Sequence, residues 1–574
     1  MTAAGAVRAL RRWPRLLSGR GRSRTEDDPA SRPRIEGLDL MDRVKYEHVV
    51  KNFFTCDPAA LTEILQELLA ALSAEETLPP VHAMSQNYET AQANPEIHIL
   101  PGNLKDARDA IFPYFWGTDG WSSPLHLENV RGPANYASFV GAVACLLKNP
   151  NLCTDTYAQR SNELEVKSVT ALANLLFYHT RDPWGIFTIG GTISNMYGAR
   201  IGIEKVAPGA MRQGMRELGR VVGIVSEASH YCNQTIAGWT GMGTDNLLAV
   251  PTDPSLAMRL DLFAETLDRC YQRGDKVAFV IPTFGTTDAF GVDDVTGIRA
   301  ILDETADRHG QPRPHLHVDA AVGWVLSFFS AYDFNENPLQ VTPELIALLK
   351  RAVKHAQGLR HGDSVTLDFH KMGWGHYPAS AFIVNHKSDL KYLSRSVAET
   401  PYFAEADPRR DPALFSLECS RPGLGPYTVM ASLNGLGLTG WQLLVARSLE
   451  LADKLKDRLD RLDYCKVLNR DTTGPSVVFQ VYAKGRDAKA IHREIEEGTM
   501  TPERYGRFAS EVRRLFEKRE KAMDSRNDAR LSFTTNIGYK PQGLSLPAWK
   551  AVFFNPRTDE TVIDRLIDSI EELV

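Results

Sequence analysis

Short runs rich in β-branched and apolar residues recur between about residues 166 and 384, with helical patterns between several of them. They are Gly185 to Ile189, Arg220 to Ser226, Val277 to Pro282, Leu316 to Asp319, Ser364 to Phe369 and Ala379 to Val384. Alternation of this kind predicts an α/β fold, with a mainly parallel sheet covered by helices on both faces. Ligands bind such sheets where strands end and loops begin. The residues that follow each run are therefore the first place to look for chemistry.

The flanks read differently. Residues 1–35 are read as a disordered basic tail, since the first 24 hold seven arginines and no acid. A mitochondrial-type transit peptide is the alternative for so Arg-rich and acid-poor a start. Residues 36–135 are expected to form a wrapping segment, helical through Ile64, Leu65, Leu68, Leu69 and Leu72 and then rich in proline and aromatic residues. Residues 136–440 are expected to form the large, cofactor-binding domain. Residues 441–574 are read as a small C-terminal α/β domain, with strands at Ser476 to Tyr482 and Arg530 to Thr535 and a last helix from about Thr558 to Leu573.

At 574 residues the chain exceeds what one core usually fills. Without the arginine-rich start, its 71 acidic side chains outnumber the basic ones by about twelve, which argues against nucleic acid as the main partner. No run of eighteen or more apolar residues appears, so no membrane span is expected. Seven dispersed cysteines without a C-x-x-C pair suit a reducing, cytoplasmic setting. The histidines show no metal-ligand spacing such as H-E-x-x-H, and no metal is expected.

Five strand-end elements carry chemistry. Asp368-Phe369-His370-Lys371 places a lysine after a β-run and before Gly373 and Gly375. A lysine so placed can reach into a cleft and form a Schiff base. In His317-Val318-Asp319-Ala320-Ala321 a β-run ends in an acid followed by small residues. Such a carboxylate can hold the proton of a pyridinium nitrogen, and it can equally be a helix cap. The run from Phe187 to Asn195 passes through Gly190-Gly191 into a helix, where free N–H groups and the hydroxyls of Thr192 and Ser194 suit a phosphate. His230 follows the run ending at Ser226, and Gly285-Thr286-Thr287 follows Pro282. Each element alone is modest. Together they suit one cofactor, pyridoxal phosphate.

In this order Gly191-Thr192, His230, Gly285-Thr286-Thr287, His317 to Ala321 and His370-Lys371 resemble the group II pyridoxal-phosphate-dependent decarboxylases over about residues 95 to 440. The bacterial tyrosine decarboxylase branch is most similar, through His370-Lys371-Met372-Gly373 and Leu417 to Gly423. The resemblance implies the type I, aspartate aminotransferase-like fold and decarboxylation of an L-amino acid, aromatic such as tyrosine or branched or aliphatic. It implies that Lys371 carries the cofactor, Asp319 bonds the ring nitrogen and His230 stacks on the ring. Thr192, Ile193, Ser194 and His370 would hold the phosphate, and Thr286 and Ala321 would line the ring. Active sites would form across a homodimer interface, with Ser420 in the turn that approaches the partner's phosphate. His126 resembles a substrate-side histidine, and Tyr377 or Tyr402 would return the proton.

Val322, Trp374 and His376 depart from the family pattern, and the run from Glu418 to Gly423, with Arg421 in it, matches no branch fully. The main alternative is a carbon–carbon lyase of the sphingosine-phosphate lyase type. Against it, the chain has Tyr377-Pro378 where those lyases carry a Lys-Gly pair. A non-catalytic binding protein of the same fold is the remaining reading.

Overall fold

The computed structural model describes residues 58–76, 88–93, 101–114, 123–176, 178, 182–395, 410–523 and 528–574. The chain divides into two units, residues 1–120 and 121–574. In the first, the described helices are Pro58–Glu76, Tyr88–Ala93 and Leu104–Ile111. Leu104–Ile111 opens with a reciprocal cap between Asn103 and Asp106, which satisfies donors that a helix start leaves open. Arg108 pairs with Glu67. The basic tail and Tyr402 lie outside the described residues.

The second unit is built on a seven-stranded sheet. Its strands are β1 (Trp184–Thr188), β2 (Val221–Ser226), β3 (Leu247–Val250), β4 (Lys276–Ile281), β5 (His315–Asp319), β6 (Ser364–Asp368) and β7 (Ser380–Val384). The order is β1-β7-β6-β5-β4-β2-β3, and only β7 runs against its neighbours. Residues of β2, β5 and β6 are buried throughout, as strands covered on both faces must be. Helices Gly191–Val206, Leu260–Gln272, Val295–His309 and Pro343–Ala356 supply the cover. Val295–His309 starts where Asp294 accepts the Gly297 N–H and stops at left-handed Gly310, and Pro343–Ala356 is capped by Thr342 with proline in its first turn. The sheet thus follows the sequence expectation.

A second sheet has the order β10-β11-β9-β8 and is antiparallel throughout, with β8 (Cys465–Val467), β9 (Ser476–Val481), β10 (Ser532–Thr534) and β11 (Ala548–Val552). It has its own core, including Phe479, Trp549, Leu566 and Ile570. Helix Leu424–Asp460 is long and apolar enough to cross a membrane by length and composition. It is broken at Gly437 (φ 60°), and Trp441, Val445 and Leu449 pack into the core of the large sheet.

Candidate active site

Five chain segments leave the C-terminal ends of parallel strands and meet at one cavity of about 230 Å³. After β1 come Gly190, Gly191 and Thr192. After β2 come His230 and Cys232, and after β4 come Thr283, Gly285 and Thr287. β5 ends in Asp319, followed by Ala321 and Val322, and β6 ends in Asp368, followed by His370 and Lys371. Asn195 completes the lining. A parallel sheet makes such a site because every strand delivers its last residue to the same edge. Thr283 extends the β4–β5 pairing as far as Asp319, which fixes two walls against each other. Gly285 has φ +97°, and a Cβ there would lie 3.0 Å from the Gly323 nitrogen, so the turn that admits Thr286 and Thr287 depends on glycine.

Lys371 Nζ lies 2.9 Å from Asp368 Oδ2. The other oxygen of Asp368 accepts from Ser380 Oγ at 2.5 Å, and His370 Nε2 stands 3.5 Å from Oδ2. Burial works against both charges of the pair. The field of Lys371 and His370 and the Ser380 bond still hold Asp368 below the usual carboxylate range. Likewise the charges of Asp368 and Asp319 outweigh burial and raise Lys371 above an ordinary lysine. Asp319 accepts from Asn195 Nδ2 at 2.8 Å and from the Ala321 N–H at 3.2 Å. Burial lowers His230 first, with Asp319 acting in the opposite direction, and its Nδ1 accepts the Cys232 N–H at 3.2 Å. Burial also lowers His370, whose ring lies 3.8 Å from that of Tyr377 in a stacked arrangement.

Of the residues expected from sequence, Lys371, His370, His230, Asp319, Ala321 and Thr192 come together in this cavity. Ser194 sits behind it, its hydroxyl 2.7 Å from that of Thr188, and Ile193 lines a neighbouring groove with Trp239. Thr286 is buried between two lining residues and accepts the Gly291 N–H. Tyr377 is 54% exposed and reaches the site through its stack on His370. Ser420 is exposed and accepts from Asn151, away from the cavity of its own chain. His126 is buried between Leu125 and Leu127, which belong to the core of the small sheet, and the cavity does not include it.

Asp368, Asn195, Cys232 and Thr283 line the cavity without an expected role. Asp368, Asn195 and Thr283 belong to three of the strand-end runs. Asp368 had a signal, an acid three residues before the lysine at the same strand end. Trp374 and His376 have packing partners. Trp374 donates to the Phe554 carbonyl at 2.5 Å, and His376 Nδ1 lies 2.8 Å from Ser138 Oγ, so both tie the loop after Lys371 to its surroundings.

The cavity has three chemically distinct parts. The Ile193 and Ser194 N–H groups bond back to the Gly190 carbonyl, and those of Gly191 and Thr192, ahead of them at the start of helix Gly191–Val206, favour an anion. A Cβ at Gly190 would meet nothing within 4 Å, so that end has room for one. The Asp319 carboxylate marks a second part and the Lys371 amine a third. Phosphate, pyridine nitrogen and aldehyde of pyridoxal phosphate require these three groups.

The conserved domain of pyridoxal-dependent decarboxylases matches residues 80–482. The chain belongs to the pyridoxal-dependent decarboxylase family. It is a pyridoxal-phosphate-dependent amino-acid decarboxylase, a carboxy-lyase. The acidic amino acid decarboxylases of Bos taurus and Homo sapiens are 25% and 24% identical to it, over 78% of this chain and 77% of each relative. Mouse CSAD in its apo form matches with a TM-score of 0.72 at 17% identity, over 90% of this decarboxylase and 99% of that chain. Catharanthus roseus tryptophan decarboxylase in complex with L-tryptophan matches at 0.68 and 16%, over 92% and 98%. The two structural matches establish the fold, including the large mixed sheet and the small antiparallel one.

Proposed function

We propose that this decarboxylase acts on an L-amino acid with an aromatic side chain such as tyrosine, or a branched or aliphatic one, and that Lys371 holds its cofactor covalently. The observation that carries the residue assignment is the meeting of Lys371, Asp319 and the start of helix Gly191–Val206 in one cavity. When bound, pyridoxal phosphate supplies an electron sink for the breaking bond between Cα and the carboxylate.

The protein's own groups do the rest. Asp319 would hold a proton at the ring nitrogen. Thr192, the backbone of Ile193 and His370 would hold the phosphate, with Ser194 and Thr188 bracing the turn from behind. His230, which burial lowers, would meet the ring without adding a second cation beside Lys371. Thr286 and Ala321 would line the ring. Burial raises the Tyr377 hydroxyl, which therefore keeps its proton for return to Cα. Tyr402 is the other candidate for that transfer.

The tyrosine branch is supported by the His370 to Gly373 run, while Val322, in the wall beside Ala321, departs from the family pattern. A second reading, an acidic substrate, is favoured by Arg131. Burial dominates the shifts at His370 and Tyr377, yet both also feel the Arg131 charge, so a cation lies within range of the cavity. The names of the two curated relatives point the same way. Carbon dioxide release from tyrosine, leucine, aspartate and glutamate separates the two. Release from tyrosine or leucine alone supports the first. Release from aspartate or glutamate, lost in Arg131→Gln, supports the second and overturns the first.

A homodimer belongs to the same proposal. Helix Tyr136–Lys148 leaves Tyr136, Val140, Leu146 and Leu147 exposed, and Tyr231 and Trp239 stand exposed on the helix after β2 and just before it. Apolar area of this kind is commonly covered by a partner. Ser420, exposed on its own chain, is free to face the partner's cavity. Light scattering on purified protein is expected to give twice the chain mass, and a monomer would contradict it.

A further inference from the structure

A hydrogen-bonded chain runs from the rim of the large sheet to Asp319. At its outer end Lys205, with a side chain 22% exposed, lies 2.8 Å from Asp389 Oδ2 and 3.1 Å from His315 Nδ1. His315 Nε2 is 2.8 Å from Ser364 Oγ, and Ser364 Oγ is 2.7 Å from His317 Nδ1. His317 Nε2 is 3.1 Å from Asn195 Oδ1, whose Nδ2 donates to Asp319 Oδ2. The fold lays these groups side by side. His315, His317 and Asp319 alternate onto one face of β5, and residues 195 to 205 of the covering helix rise about 15 Å. The four steps of β5 from His315 to Asp319 rise about 13 Å. The two spans match.

The direction of every bond is determined. A carboxylate only accepts, so Asn195 must turn its amide N–H₂ to Asp319 and leave Oδ1 to accept from His317 Nε2–H. At the other end an ammonium has no lone pair, so His315 Nδ1 must accept from Lys205 and Nε2 must carry the proton. Ser364 then accepts from His315 and donates to His317 Nδ1. Both ends demand the same polarity. Each ring carries a single proton, because burial pushes His317 down to about 3 and His315 well below its usual value. Two neighbours leave the order intact. Asp363 Oδ2 lies 3.9 Å from His315 Nδ1, beyond bonding distance, and is engaged by the Leu316 N–H, while its Oδ1 pairs with Arg299. Thr366 Oγ1, 3.0 Å from His317 Nε2, is a second acceptor for the same proton.

We propose that Lys205 is a remote positioning residue of the cofactor site, acting through His315, Ser364, His317 and Asn195 to fix the Asp319 carboxylate that meets the cofactor ring. Five hydrogen bonds aligned head to tail polarise one another in the same sense, with a cation at one end and a carboxylate at the other. The chain also locks Asn195 in one amide orientation, so one carboxylate oxygen is always occupied. The assignment of Asp319 as the ring's partner rests on the function proposed above. The direction of the chain does not.

The test begins on apoprotein with ¹⁵N-labelled histidine. Two-dimensional ¹H–¹⁵N spectra are expected to show His315 and His317 neutral, each protonated at Nε2. A proton on Nδ1 of either ring overturns the proposal. In Lys205→Met the His315 tautomer is expected to lose its single state, and affinity for pyridoxal phosphate to fall about 5-fold or more. Lys205→Arg is expected to restore both. Wild-type tautomers and affinity in Lys205→Met overturn the remote action. Asp319→Asn separates the two layers. If it binds pyridoxal phosphate as the wild type does, the ring assignment falls while an all-Nε2 spectrum still upholds the chain's direction.

Discussion

Lys371 Nζ and Asp368 Oδ2 stand 2.9 Å apart, one turn of chain past the end of β6. The carboxylate is buried, with its other oxygen bonded to Ser380 and with Lys371 nearer to it than His370, 3.5 Å away. It keeps the lysine protonated, and an ammonium cannot attack an aldehyde. Attachment of the cofactor must therefore draw on the small fraction of free amine. In Asp368→Asn the largest raising influence is gone and that of Asp319 remains, so the free amine forms at lower pH. The rate of cofactor attachment to apoprotein, followed by absorbance across pH 6 to 9, is expected to rise at lower pH in the variant than in the wild type. An unshifted profile would mean that the pair does not govern the lysine.

Arg421 and Glu165 form a buried two-pronged pair at 2.7 and 2.9 Å, with Arg421 also donating to the Leu152 carbonyl and Glu165 accepting the Phe187 N–H in β1. The pair ties the turn holding Ser420 to the edge of the sheet. Removing one partner leaves the other charge buried. Arg421→Ala is expected to lose about 3–5 kcal/mol in urea unfolding.

Gly198 faces the ring of His317 across the helix–sheet contact, and a Cβ there would lie 2.3 Å from the ring. The ring must move to admit a methyl group. Gly198→Ala is expected to cost about 1–3 kcal/mol and to weaken cofactor binding, both measurable by urea titration of apo and loaded protein. Equal stability and affinity would show that the ring has slack.

His317 and His492 are both held down to about 3 by burial, and His315 lies well below 6.5 for the same reason. Their folded pKa values are depressed, so the unfolded chain binds protons first as pH falls. The stability they confer is complete above about 6.5 and is lost between there and about 3, at about 1.4 kcal/mol per pH unit for each histidine. Asp293, raised to about 7 by burial, acts in the opposite sense from there down to its ordinary 3.8. Three histidines outweigh one aspartate, so stability is expected to fall from pH 6.5 to 4.5, less steeply in His317→Gln.

Six of the seven strands of the large sheet were legible in the sequence. β1, β2 and β4 to β7 fall within a residue of their expected bounds, because each is a short run rich in β-branched and apolar residues between helical patterns. β3, β8 and β11 were not legible. β3 is four residues long, β8 is three, and β11 reads Ala-Trp-Lys-Ala-Val, where alanine and lysine hide a strand whose burial is decided by distant partners. At the site, glycines, Asp319 and Lys371 carried their own signal because each ends a strand. Asn195 did not, since a helix asparagine becomes meaningful only when β5 is laid beside it. Arg421 read as a departure from a family motif, and its reason was Glu165, 256 residues away in the chain.

We propose that Lys371 carries the cofactor for decarboxylation. Borohydride reduction of the loaded protein followed by peptide mass mapping checks this, with carbon dioxide release assayed on the same preparation before reduction. One pyridoxyl group per chain is expected, on Lys371, with loss of both the group and the carbon dioxide in Lys371→Ala. A pyridoxyl group on another lysine, or carbon dioxide released undiminished by Lys371→Ala, would contradict it.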